Sequence, residues 1–101
     1  MNRKLLMGTA GKADEALLAA LDVVRSVVDA GGDQRLVIYA VMSAEASLDV
    51  LGNLREAAFG RKTKADINAL YENANTGLAV TFTVLEAKGY LHPDLKTFPR
   101  G

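Results

Sequence analysis

Phe59-Gly60-Arg61-Lys62-Thr63-Lys64 interrupts two long runs of helical spacing, and its reading decides the fold. Gly60 supplies the backbone freedom that a helix terminus needs. Thr63, with Asp66 three residues on, has the pattern of a capping box and so of a helix start. Upstream, Val37, Val41, Ala44, Leu48, Leu51 and Ala58 fall on one stripe. Downstream, Ile67, Leu70, Ala74, Leu78, Phe82 and Leu85 fall on another. This spacing predicts helices over 35–59 and 64–88. Each would run roughly 37 Å. Matched arms joined by a short turn pack antiparallel.

The predicted hairpin is polarised along its length. Arg55, Glu56, Arg61, Lys62, Lys64 and Asp66 gather near the turn, whereas 36–44 and 73–85 contain no charge. At that uncharged end, Ile38, Tyr39 and Met42 leave the upstream stripe, and Val80 and Val84 leave the downstream one. Two helices cannot bury apolar residues pointing in several directions. The expectation is that a further helix covers part of this surface and a second copy the rest, with these five residues as the candidate oligomer interface.

The remaining sequence suits one domain over residues 1–101. Half the residues are apolar, enough for a core, and 12 basic side chains balance 12 acidic ones. Neutrality argues against a strong general nucleic-acid binder. The absence of cysteine excludes disulfides and thiolate chemistry. No uninterrupted apolar run reaches membrane-spanning length, and the apolar part of the N-terminus is too short for a signal peptide. A cytoplasmic protein without a membrane partner is the expectation. Gly8 and Gly11 predict a loop over 1–11, followed by a helix over 12–30 with Leu17, Leu21, Val24 and Val28 on its stripe. Gly31-Gly32 stops that helix, and Asp33 caps the next. Gly89 ends the third, leaving a tail over 89–101 that turns at Pro93, with Leu95 and Phe98 against the bundle.

A rival reading makes 36–42 and 78–84 strands of a small α/β domain, since both are rich in β-branched and aromatic residues. Against it, both runs keep helical spacing continuous with their neighbours, and no turn signal follows Met42.

Little of the sequence carries reaction chemistry. His92, the one histidine, precedes a proline and has no carboxylate at ligand spacing, so no catalytic or metal residue and no cofactor is assigned. Glu45, Asp49 and Glu56 share a helix face without a partner acid on the next helix, the pattern of a solvated face. Gly8-Thr9-Ala10-Gly11-Lys12 has a phosphate-loop flavour but lacks the Walker spacing and reads as a helix lead. The basic turn is more informative. Arg61, Lys62 and Lys64 stand where free amides of the next helix point, with Arg55 one turn before. With Tyr71 and Asn73 they form the candidate contact set for an anion or a partner. Asn68, Asn73, Asn75, Thr76, Thr81 and Thr83 make the third helix polar without charge, and Asn73, beside the stripe, is the best placed for a specific contact. Ala40, Ser43, Ala44 and Ser47 are small enough to let helices approach closely.

Two families set useful contrasts. Tyr90 and Asp94 match the loose Tyr-x-x-x-Asp tail of secreted helical hairpins, but the Trp-x-Gly turn of that group is missing because the chain has no tryptophan. Histidine phosphotransfer bundles need a histidine on a helix, and none is predicted here. The sequence therefore indicates an all-α, three-helix domain dominated by a long antiparallel hairpin and prone to self-associate. The expected function is non-catalytic binding of a partner protein as an adaptor or inhibitor. The alternative is an oligomer that sequesters a small anion such as a nucleotide, and the third and weakest reading is a small enzyme or a nucleic-acid-binding protein.

Overall fold

A computed structural model describes residues 2–90. Three helices, α1 Arg3–Asp29, α2 Gln34–Ala57 and α3 Arg61–Ala87, make it 88% helical, and no strand occurs among the described residues. The all-α reading holds, and the two rival strand segments lie inside α2 and α3. The predicted tail from residue 91 onward, with His92, Leu95 and Phe98, lies outside the described residues.

The N-terminus departs from expectation. Residues 3–11 are helix, not loop, so α1 starts nine residues before Lys12. The reason is the continuity of its apolar stripe: Leu6, Ala10, Ala13, Leu17, Ala20, Val24 and Val28 are all buried. Burying a leucine contributes about 1.5–3 kcal/mol, against about 1 kcal/mol for each glycine held in a helix. Burial of this stripe outweighs Gly8 and Gly11. Asn2 opens the helix by accepting a 2.8 Å hydrogen bond from the Leu5 amide.

At 27 residues α1 equals α3 in length, and it makes its most extensive packing with α2. The α2–α3 hairpin is therefore one of two hairpins rather than the dominant one. Alanines explain the close approach of α1 and α2. Ala10, Ala13 and Ala20 on α1 and Ala40 and Ala44 on α2 are all buried, and small contact residues shorten the distance between helix axes. The small residues anticipated at Ala40 and Ala44 thus serve packing within the chain. The helices run up, down and up in a body of 44 × 21 × 16 Å, with α1 and α3 parallel.

Two clusters fill the core. The larger runs from Leu6, Leu54 and Ala58 through Leu17, Leu48 and Ile67 to Leu78. The smaller joins Val24 and Val28 of α1 to Val37, Ala40 and Val41 of α2 and Leu85 of α3. Ile38 packs against this second cluster. By length and hydropathy α2 passes for a membrane-crossing helix, yet seven of its residues are buried in the bundle.

Local chemistry sets the helix ends. α1 closes with the Gly31 amide bonded to the Val28 carbonyl and the Gly32 amide to the Val27 carbonyl, while Gly31 adopts φ 66°. α3 closes the same way through Gly89 and Tyr90, bonded to Glu86 and Leu85. The two ends are tied together, since the Tyr90 hydroxyl donates to the Gly32 carbonyl at 3.1 Å. Asp33 caps α2 as anticipated, accepting from the Arg35 amide at 2.8 Å. The capping box at Thr63 does not form. α3 begins earlier, at Arg61, with Gly60 as its N-cap at φ 86° and no side-chain capping bond. Thr63 is buried, and Arg3 of α1 takes both box residues, donating to the Thr63 hydroxyl and the Asp66 carboxylate at 2.8 Å each.

A helical start to α1 has a measurable consequence. A methyl group added at Gly8 or Gly11 meets no atom within 4 Å. Gly8→Ala and Gly11→Ala should each raise unfolding stability by about 0.5–1 kcal/mol, whereas Leu6→Ala should lower it by about 2–5 kcal/mol. Denaturant titration reads both. A loose N-terminal lead would leave all three variants within about 0.5 kcal/mol of the parent.

Candidate functional site

The Arg3 bonds to Thr63 and Asp66 place the starts of α1 and α3 at one end of the bundle, beside the end of α2. Neither α1 nor α3 has an acidic residue in its first turn. Instead, Arg3 and Lys4 open α1, and Arg61, Lys62 and Lys64 open α3. Cations there oppose the helix dipole by about 0.3–1 kcal/mol each. Only Arg55, in the last turn of α2, has the dipole in its favour.

Four of the six candidate contact residues come together here. Arg55, Arg61 and Lys64 line a shallow groove with Glu56, Ala65 and Asn68. The Arg55 guanidinium lies 4.0 Å from the centre of the Tyr71 ring and donates to the Asn68 carbonyl oxygen at 3.1 Å. Tyr71 therefore supports Arg55 from beneath, which accounts for an arginine within an apolar stripe. Asn68, one of the uncharged polar residues of the third helix, is the partner that orients it. Lys62 turns away and meets Asp66 at 3.3 Å. Asn73 lies on a different face, between α1 and α3, beside Asp14, Leu17 and Leu18. The Thr81 and Thr83 hydroxyls bond back to the carbonyls of Gly77 and Ala79 within their own helix.

The five candidate interface residues do not form one patch. Ile38 is half-buried in the second cluster. Tyr39, Met42, Ala46, Asp49 and Asn53 are all exposed at successive turns, one outward stripe of α2. Val80 and Val84 line a groove between α1 and α3, with Leu18, Leu21, Val24 and Val28 opposite and Gly77 beside them. Leu18, Val80 and Val84 are 54, 58 and 46% exposed. The sequence marks Val80 and Val84 as candidates for a contact surface and places Leu21, Val24 and Val28 on the core stripe of the first helix, whereas Leu18 carries no assignment. The missed signal was the run Leu18, Leu21, Arg25 at helical spacing, one step to the side of the buried stripe.

The charges around the groove are mostly acidic. Asp22, Arg25 and Asp29 line its upper part and Asp14 its lower part. Arg25 is bonded to Asp22 at 3.0 Å. Asp14 and Asp29 enter no ion pair among the described residues. No three metal-ligating side chains stand together among the described residues.

The ion pair at the basic end has a pH signature. The Arg3 guanidinium bonded to Asp66 holds its carboxyl below the ordinary range; loss of hydration opposes this, and Lys62 adds to the lowering. A carboxyl depressed in the folded state contributes stability above its ordinary pKa and loses it as pH falls through the lower folded value. Thermal melting from pH 6 downward should therefore show a loss below about pH 4 that is smaller in Asp66→Asn and in Arg3→Gln. Equal slopes in parent and variants would remove this pair from the account of acid sensitivity. Compared with protein-family models, curated proteins and solved structures, the chain matches none.

Proposed function

We propose that the chain is a non-catalytic helical binding protein, an adaptor or inhibitor, that acts by seating a helix of a partner protein in the α1–α3 groove. The observation that carries this reading is the half-exposed trio Leu18, Val80 and Val84 above a floor of Leu21, Val24 and Val28. Gly77 leaves a recess among them. From Asp14 to Asp29 the groove follows 15 steps of α1, roughly 22 Å or four helical turns. An amphipathic helix fits such a trough through anchors at i, i+3 or i+4, and i+7.

Charge selects the occupant. α3 contributes no charge between Asn73 and Leu85, and α1 contributes three aspartates against one arginine. A second copy would bring the same acidic rim and repel it. A partner helix flanked by lysine or arginine complements it. The alternative reading, an oligomer sequestering a small anion such as a nucleotide, is favoured by a different observation, the convergence of Arg55, Arg61 and Lys64. A rise in melting temperature on adding nucleotides would support it.

The test uses two four-turn amphipathic peptides with leucines at i, i+3, i+4 and i+7, one flanked by lysines and the other by glutamates. The lysine peptide should bind saturably by fluorescence anisotropy, the glutamate peptide at least about tenfold more weakly. Val80→Glu should abolish binding while the circular dichroism stays helical. Equal affinity for the two peptides, or none for either, overturns the reading. So does a parent chain that sediments as a dimer split by Val80→Glu, because the groove would then belong to a second copy.

A further inference from the structure

We propose that the basic end of the bundle docks on an anionic lipid surface, with Phe59 as the side chain that enters the headgroup layer. The chain as a whole is neutral, yet Arg3, Lys4, Arg55, Arg61, Lys62 and Lys64, half of its 12 basic side chains, meet at this end. Among the described residues only Glu56 and Asp66 accompany them, and Asp66 is already bonded to Arg3 and Lys62. Five of the six cations sit in the first turns of α1 and α3, against the helix dipoles. Arg3 and Lys62 meet Asp66, but Lys4, Arg61 and Lys64 enter no ion pair among the described residues, and a local choice that works against the fold marks a functional surface.

Apolar side chains are interleaved with these charges. Phe59, in the turn between α2 and α3, is 80% exposed, and Leu5, beside Lys4, is 56% exposed. The turn does not require Phe59, since Gly60 supplies the unusual backbone. An open aromatic ring followed in the chain by Arg61 and Lys62 matches the boundary of an anionic bilayer, where the ring enters the headgroup layer and the cations meet the lipid phosphates and carboxylates. Single-stranded nucleic acid is the weaker match. It needs successive aromatic platforms along a groove, whereas Tyr71, the neighbouring ring, is covered by Arg55.

Geometry keeps this surface apart from the groove. Leu5 and Leu18 are 13 residues apart on α1, about 20 Å along the helix. With the bundle standing on its basic end, the groove runs along the side of the bundle above the lipid and remains open to a partner.

The test is flotation of the full chain with vesicles of phosphatidylcholine alone or with one-third phosphatidylserine. Binding is expected only to the phosphatidylserine vesicles, with reversal by high salt. Phe59→Ser should lower partitioning by about tenfold. The double substitution Arg61→Gln and Lys64→Gln should lower it by roughly twentyfold or more. Val80→Glu should leave it unchanged, which separates this surface from the groove. All these positions are exposed, and circular dichroism checks that the variants stay folded. Absence of binding to phosphatidylserine vesicles at low salt overturns the proposal. Binding that survives both sets of substitutions does the same, as does Phe59-dependent binding of polyuridylate by a chain that ignores vesicles.

Discussion

The continuity of the buried stripe on α1 is the constraint on which the rest of the structure depends. Leu6 and Ala10 cover the turn end of the α2–α3 pair, and Val24 and Val28 cover the opposite end. A helix beginning at Lys12 would leave Leu54, Ala58 and Ile67 without that cover. Because α1 extends to Arg3, its first side chain reaches α3 and bonds Thr63 and Asp66. That contact ties the starts of the parallel helices α1 and α3 together at one end of the bundle.

The same packing decides which apolar residues remain outside. α2 buries a wide face between its neighbours, with alanines toward α1 and Tyr71 of α3 lying close to Gly52. Its remaining stripe, headed by Tyr39 and Met42, faces outward. α1 and α3 meet less extensively, and Gly77 places no side chain where the two helices part. The trough between them follows from that weaker contact. Its apolar lining comes from Val24 and Val28 on the buried stripe of α1 and from Leu18, Leu21, Val80 and Val84 one step to the side of the buried stripes.

The all-α architecture, the break at Gly60, the Asp33 cap and the stops at Gly31 and Gly89 were legible because each rests on local backbone chemistry. The start of α1 was harder. Gly8 and Gly11 signal a loop when weighed locally, and only the burial of Leu6 and Ala10 against distant residues outweighs them. The failed capping box has a similar cause. Thr63 and Asp66 have the right spacing, but Arg3, 60 residues away, competes for both. The candidate sites were legible in part. Arg55, Arg61 and Lys64 converge because a short turn joins the helices that carry them. The orientation of Lys62 and the face of Asn73 depend on α1, whose register one helix's pattern does not reveal. The five apolar residues scatter over three surroundings for the same reason.

The two surfaces differ in chemistry and position, and together they give the bundle a direction. Basic side chains and Phe59 occupy one end, while the acidic-rimmed trough lies farther along α1 and α3. The charges opposing the helix dipoles at the basic end make that end less stable than an acidic one would be. The exposed valines of the trough similarly forgo burial that a fourth helix would supply. Each departure from the most stable arrangement coincides with one of the two proposed binding surfaces. A neutral total charge conceals this polarity. It becomes visible once α1, running parallel to α3, brings Arg3 and Lys4 beside Arg61 and Lys62.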